Sequence, residues 1–175
     1  MIRVAIIGTG SIAGTHVKAF LNFKDRCQIV ALVDIHPEKA EQKRQRYGLA
    51  AKVYADHRAL LNDCDFDLVA ICAPPFVHAP ATIDALNAGK HVLVEKPMAP
   101  SLQECDAMIA AARANKRLLS VIAQNRYRTP MMKLKQIVAS DLLGRIVHAQ
   151  IDSFWWRGRN YYDLWWRGTW EKEGG

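Results

Sequence analysis

The chain opens on an apolar run, Val4-Ala5-Ile6-Ile7, that runs straight into Gly8-Thr9-Gly10-Ser11-Ile12-Ala13. A buried strand followed at once by G-x-G-x-x-A allows few continuations. The chain must turn tightly and enter a helix that packs close to the sheet, which is how a dinucleotide-binding βαβ unit begins. Gly8 permits the turn, Gly10 leaves the backbone open to a pyrophosphate, and Ala13 lets the helix approach. Unpaired amides at the helix start, at Ser11 and Ile12, would face the phosphates with a partial positive charge.

The next residues extend this reading. The pattern predicts a helix over Ser11 to Leu21, with Ile12, His16, Val17 and Phe20 on one face. A second apolar run, Ile29-Val30-Ala31-Leu32-Val33, ends in Asp34. A carboxylate at that position accepts from the adenosine ribose hydroxyls and repels a 2′-phosphate, which favours NAD over NADP. Lys43 and Arg44 in the following helix leave NADP open, although a solvated helix face is the more ordinary reading of them.

Strands and helices then alternate. A polar helix runs from about Glu38 to Tyr47 and closes at Gly48. A short strand at Lys52 to Tyr54 and a short helix from His57 to Asn62 follow. Leu68-Val69-Ala70-Ile71-Cys72 is apolar throughout, as a central parallel strand covered on both faces would be, and it ends in Ala73-Pro74-Pro75. A helix near His78 to Ala88 stops at Gly89, and His91 to Val94 forms a fifth strand. Ser101-Leu102-Gln103-Glu104 reads as a capping box, opening a helix that buries Leu102, Cys105, Met108, Ile109 and Ala112. Leu118 to Ile122 makes a sixth strand. This alternation predicts an α/β fold, a Rossmann-type doubly wound parallel sheet with its ligand at the carboxyl ends of the strands.

The pattern changes near residue 124. Thr129-Pro130 signals a helix start and Gly144 its end. Ile146 to Trp155 alternates apolar and polar residues, as a half-buried strand of an antiparallel sheet does. The expected division is a dinucleotide-binding domain over 1–123 and the beginning of an α/β domain with an antiparallel sheet over 124–175. All five tryptophans lie between Trp155 and Trp170. Too few residues surround them to bury such rings in a free-standing domain, so another subunit or further chain would have to cover them.

Composition excludes several classes. The formal charge is +7, but no block of like charge suggests nucleic acid. Cys27, Cys64, Cys72 and Cys105 show no C-x-x-C spacing, which argues against a disulfide frame or a metal site. No apolar run approaches membrane-spanning length, and a reducing cytoplasm is the expected location.

Glu95-Lys96-Pro97 follows the fifth strand at the edge where cofactor and substrate should meet. A partly desolvated lysine beside an oxidised nicotinamide could share the proton of a substrate hydroxyl as hydride leaves its carbon. Glu95 could orient the ammonium, and Pro97 stiffens the turn, with a cis bond as one option.

Together, the glycine turn, Asp34, Ile71-Cys72-Ala73-Pro74-Pro75 with His78, Gly89-Lys90-His91-Val92-Leu93-Val94-Glu95-Lys96-Pro97, Asn125-Arg126-Tyr127 and Trp166-Arg167-Gly168-Thr169-Trp170-Glu171 resemble the Gfo/Idh/MocA oxidoreductases. The resemblance implies NAD(P)-dependent oxidation or reduction of sugars, cyclitols or related compounds, by a protein that is a homo-oligomer at full length. It implies a catalytic role for Lys96. It places Ala73, Pro74 and His78, along with Glu95, Asn125, Trp166 and Arg167, toward the cofactor, and Lys96 and Arg126 toward the substrate. The family's downstream Asp and His would fall beyond Glu171-Lys172-Glu173-Gly174-Gly175. The chain is therefore expected to be the N-terminal part of a longer enzyme, binding cofactor but turning over poorly alone. Two other readings are a non-catalytic nucleotide-binding sensor and a scaffold that pairs through its aromatic tail.

Overall fold

The computed structural model describes residues 1–174. Six strands, Ile2–Ile7 (β1), Cys27–Val33 (β2), Lys52–Tyr54 (β3), Leu68–Ile71 (β4), His91–Val94 (β5) and Leu119–Val121 (β6), form one sheet in the order β3-β2-β1-β4-β5-β6. Every pairing is parallel. The crossovers carry Ala13–Leu21 (α1), Pro37–Arg46 (α2), His57–Asp63 (α3), Pro75–Asn87 (α4) and Leu102–Ala114 (α5). This is the doubly wound Rossmann sheet expected from the alternation. Strand order reverses between β1 and β4, and such sheets hold ligands outside the carboxyl ends at that switch.

The core follows from side-chain alternation in strands covered on both faces. Ala5, Ile7, Val69, Ile71 and Val92 point into one apolar layer with Leu86 and Met108. Val4, Ile6, Leu32 and Ala70 point into the other, with Val17 of α1. Leu32 and Phe66 are sealed from solvent, and each such side chain contributes about 1.5–3 kcal/mol of apolar transfer.

The chain divides into two compact units, Met1–Val121 with the segment from Trp166 onward, and Ile122–Trp165. The division expected from sequence kept 124–175 together. In the structure the segment from Trp166 groups with the sheet instead. Its helix, Trp170–Glu173, packs against α4, and the Gly174 backbone lies against Pro100.

The other unit holds a 3₁₀ turn at Gln124–Tyr127, a helix at Thr129–Ala139 and a short one at Arg159–Tyr162. The long helix ends at Ala139, ahead of the expected Gly144 stop. The strand expected over Ile146 to Trp155 does not form, and the stretch pairs with no described strand. Within α5, Met108 and Ala112 are buried as expected, but Leu102 is 84% exposed and Ile109 is also exposed. Leu102 is the first helical residue, where the chain has not yet turned onto the sheet. In α1 the buried face is Ala13, His16 and Val17, whereas Ile12 precedes the helix and is exposed.

Candidate functional site

β1 ends in a turn that only glycine can make. Gly8 has φ +87°, and a Cβ there would sit 2.6 Å from the Ala73 nitrogen and 2.7 Å from the Cys72 carbonyl carbon. The turn therefore lies directly on the end of β4. Gly10 has nothing within 4 Å of where its Cβ would be, so the surface above it is open. The amides of Gly10, Ser11 and Ile12 make no hydrogen bond among the described residues, and no side chain caps α1. Bare amides at a helix start beside an open glycine form an anion cradle. Ala13 is fully buried where α1 meets the sheet.

Asp34 closes the other side of this turn. Its Oδ2 accepts from the Thr9 amide at 2.8 Å and the Thr9 hydroxyl at 2.7 Å, and Oδ1 accepts from the His36 amide at 3.0 Å. A carboxylate has about four acceptor positions, so Oδ1 can still take a donor such as a ribose hydroxyl. Partial burial opposes ionisation. The Thr9 and His36 bonds and the charge of Lys39 outweigh it, and the pKa is lowered. Of the two basic residues in α2, Arg44 is held by Glu41, while the Lys43 ammonium donates to the Gly10 carbonyl at 3.2 Å. Lys43 therefore reaches the glycine turn through a solvent-exposed contact.

Lys96 stands just past β5, exposed, with a cis bond to Pro97. Glu95 beside it is buried, and its carboxylate does not grip the ammonium as the sequence suggested. Oε1 lies 2.8 Å from His16 Nε2, and Oε2 accepts the Lys96 backbone amide at 3.1 Å. The Glu95 hydrogen bond thus goes to the lysine backbone, and its link to the amine is through charge alone. Burial works against the charged form of Glu95. The His16 bond, the Lys96 amide and the charges of His16 and Lys96 prevail and lower its pKa. Burial, followed by the Glu95 charge, pushes the neighbouring Cys72 thiol up, so it stays protonated and inert.

His78, in the first turns of α4, is 1% exposed. Its Nδ1 lies 2.8 Å from the Pro97 carbonyl and its Nε2 lies 2.8 Å from the Ala73 carbonyl. Both ring nitrogens are committed within the protein. Pro74 precedes α4 in extended backbone.

The glycine turn, Asp34, Ala73, Pro74, His78, Glu95 and Lys96 therefore share one edge of the sheet. Asn125 and Arg126 are exposed on the 3₁₀ turn of the other unit. Trp166 and Arg167 belong to the sheet unit. The Arg167 guanidinium lies 4.3 Å from the Trp166 ring centroid and bonds Glu173 at 2.8 Å. Two cavities of about 350 Å³ lie away from this edge, one lined by Met1, Phe20, Cys27 and Leu49, the other by Arg58, Leu61, Asp84 and Asn87. The site is located by its chemistry, not by depth. Among the described residues no cluster of metal-binding side chains occurs, and no helix is long and apolar enough to cross a membrane.

Sequence reading missed one member of the site. His16 looked like part of the apolar face of α1. Its partner is 79 residues away, and only the parallel sheet brings the two together. A lone histidine at a helix position otherwise filled by Ala13, Val17 and Phe20 was the available signal.

Comparison with known proteins adds the following. Residues 2–123 match the Gfo/Idh/MocA family, described as an oxidoreductase family with an NAD-binding Rossmann fold. The inositol 2-dehydrogenase of Salmonella typhimurium is 33% identical over 152 residues, which cover 85% of this chain and 45% of that protein. The WlbA dehydrogenase of Chromobacterium violaceum, solved with NADH and UDP-GlcNAcA, is 35% identical with a TM-score of 0.94, over 98% of this chain and 49% of that one. The myo-inositol 2-dehydrogenase of Lactobacillus plantarum is 26% identical with a TM-score of 0.76, over 83% of this chain and 43% of that one. The chain spans about half the length of the curated relatives it matches.

Proposed function

Because the chain belongs to the Gfo/Idh/MocA oxidoreductases and carries their NAD-binding Rossmann domain, we propose that the whole protein transfers a hydride between nicotinamide and a carbinol or carbonyl carbon of a sugar or cyclitol. The observation that carries this reading is Lys96, held at the carboxyl end of β5 by Glu95, which is itself bonded to the helix that follows the glycine turn.

The residues fit the cofactor. Gly10 and the free amides of Ser11 and Ile12 would hold the pyrophosphate, with Gly8 and Ala13 setting the turn and helix. Asp34 would take a ribose hydroxyl and disfavour a 2′-phosphate. When bound, the nicotinamide supplies the hydride acceptor or donor. The chain's part is to hold a proton at Lys96 Nζ. In oxidation the amine takes the hydroxyl proton as the carbon–oxygen double bond forms, and in reduction it returns it. Ala73, Pro74, Asn125, Trp166 and Arg167 are proposed on the cofactor side and Arg126 on the substrate side. Residues from 124 onward, apart from the Trp166 segment, would begin a substrate and subunit-contact domain. The protein would be cytoplasmic, in keeping with four free cysteines, and homo-oligomeric. Light scattering on the whole protein tests the assembly.

Lys96→Ala in the whole protein should lower turnover by about 10²–10⁴-fold, the usual worth of a general acid–base, while NADH affinity stays within about threefold. Fluorescence titration with NADH alongside steady-state turnover decides it. Unchanged turnover would remove the lysine from the mechanism.

A second substrate reading, a nucleotide-linked sugar acid, is favoured by one observation. The likeness to the WlbA dehydrogenase covers 98% of this chain, whereas that to the inositol enzyme covers 83%. Turnover of UDP-linked uronates against free inositols, followed by NADH formation, separates the two.

A further inference from the structure

We propose that His16 and His78 are positioning residues for Lys96, a pair of buried imidazoles that hold the Glu95-Lys96-Pro97 segment from both sides. The proposal rests on the reading of Lys96 as the proton carrier. The Lys96 amine makes no hydrogen bond or ion pair among the described residues. A long side chain with a free tip has many rotamers, so the reach of the amine is set by where its backbone is fixed. That backbone is anchored on each side by a residue distant in sequence. His16 contacts Glu95 at 2.8 Å, and the other oxygen of Glu95 takes the Lys96 amide. His78 contacts the Pro97 carbonyl and the Ala73 carbonyl, both at 2.8 Å. The Glu95 amide donates to Ile71 at 3.0 Å, which fixes the strand beneath.

All three side chains are buried, His78 almost completely, so water does not compete for these contacts. Each imidazole also reaches a second part of the site. His16 belongs to the helix that follows the glycine turn, and His78 ties the loop after β4 to the loop after β5. Neither contacts the Lys96 amine, so their effect on chemistry passes through the backbone. Misplacing a reacting group by about 1 Å can cost on the order of a hundredfold in rate.

The test uses the 175-residue chain with its lysines ¹³C-methylated, the Lys96 signal being assigned with Lys96→Arg. The wild-type chain should give one sharp Lys96 resonance that moves on addition of NADH. His16→Leu and His78→Leu should broaden or split that resonance while circular dichroism shows a folded chain. His16→Gln, whose amide nitrogen replaces Nε2, should restore it. In the whole enzyme the Leu variants should lower kcat about a hundredfold, with KM for NAD changed less than about threefold. A sharp, unchanged Lys96 resonance in both Leu variants overturns the proposal, as does a His16→Gln chain no better than His16→Leu. If His78→Leu does not fold, the comparison of His16→Gln with His16→Leu decides. NADH that binds without moving a sharp wild-type Lys96 signal counts against the proton-carrier reading instead, while the line shapes still test the brace.

Discussion

Val4, Ala5 and Ile6 have no exposed surface, whereas Val147, Ile151 and Phe154 are all at least 85% exposed. Both groups come from stretches that read as strands. The difference lies in partners. β1 has β2 on one side and β4 on the other, so its amides and carbonyls are spent in ladders and its side chains in two apolar layers. The stretch from Ile146 to Trp155 meets no strand among the described residues. An apolar pattern therefore states what a segment could bury, and its neighbours decide whether it does.

Stability measurements can break this comparison. Phe66→Ala should cost about 3–5 kcal/mol, as for buried aromatic residues generally. Trp156→Ala should stay within about 0.5 kcal/mol, as at an exposed site. Urea unfolding of the two variants decides it, and equal losses would show that the aromatic stretch contributes to the same cooperative fold.

Within the sheet unit, the two glycines of the turn sharpen the contrast between packing and access. Gly8→Ala should destabilise by at least about 1–3 kcal/mol from the left-handed backbone alone, with the contact on Ala73 added, and should abolish NADH binding. Gly10→Ala, facing open space, should leave the melting temperature unchanged yet weaken NADH binding. Calorimetry and NADH fluorescence separate the two effects.

Asp34→Asn should narrow the preference for NADH over NADPH by about tenfold, the worth of a hydrogen bond to a charged group, as read by paired titrations. The smallest effect is at Asp67. Bonds from the Arg3 side chain and amide hold its carboxyl down to about 2. Because the folded value lies below the unfolded one, the contribution is present above about pH 4 and fades as pH falls toward 2. The difference in urea midpoint between Asp67→Asn and the wild-type chain should thus be visible at neutral pH and close on acidification.

The sheet was legible because its information is local. Four-residue apolar runs, the left-handed glycines and Asp34 each announce themselves within a few residues. The strand expected over Ile146 to Trp155 does not form, because a ladder depends on residues far away. Glu95 was assigned to the lysine amine because the two are adjacent in sequence, yet its partner came from α1. Leu102 was placed in the core on periodicity alone, although helix starts stand clear of the sheet. His16 was visible as a residue but not as half of a pair.

The two carbonyls that share the His78 ring have a consequence for how the molecule can change. The loops that follow β4 and β5 are linked as one mechanical piece. An insertion at Ala73-Pro74 would drag the lysine off its rim, and a shift at Pro97 would pull on the floor beneath Gly8. Ile35 and His36, exposed and outside that linkage, are free to vary, so a change of coenzyme can arise there without disturbing the chemistry next door.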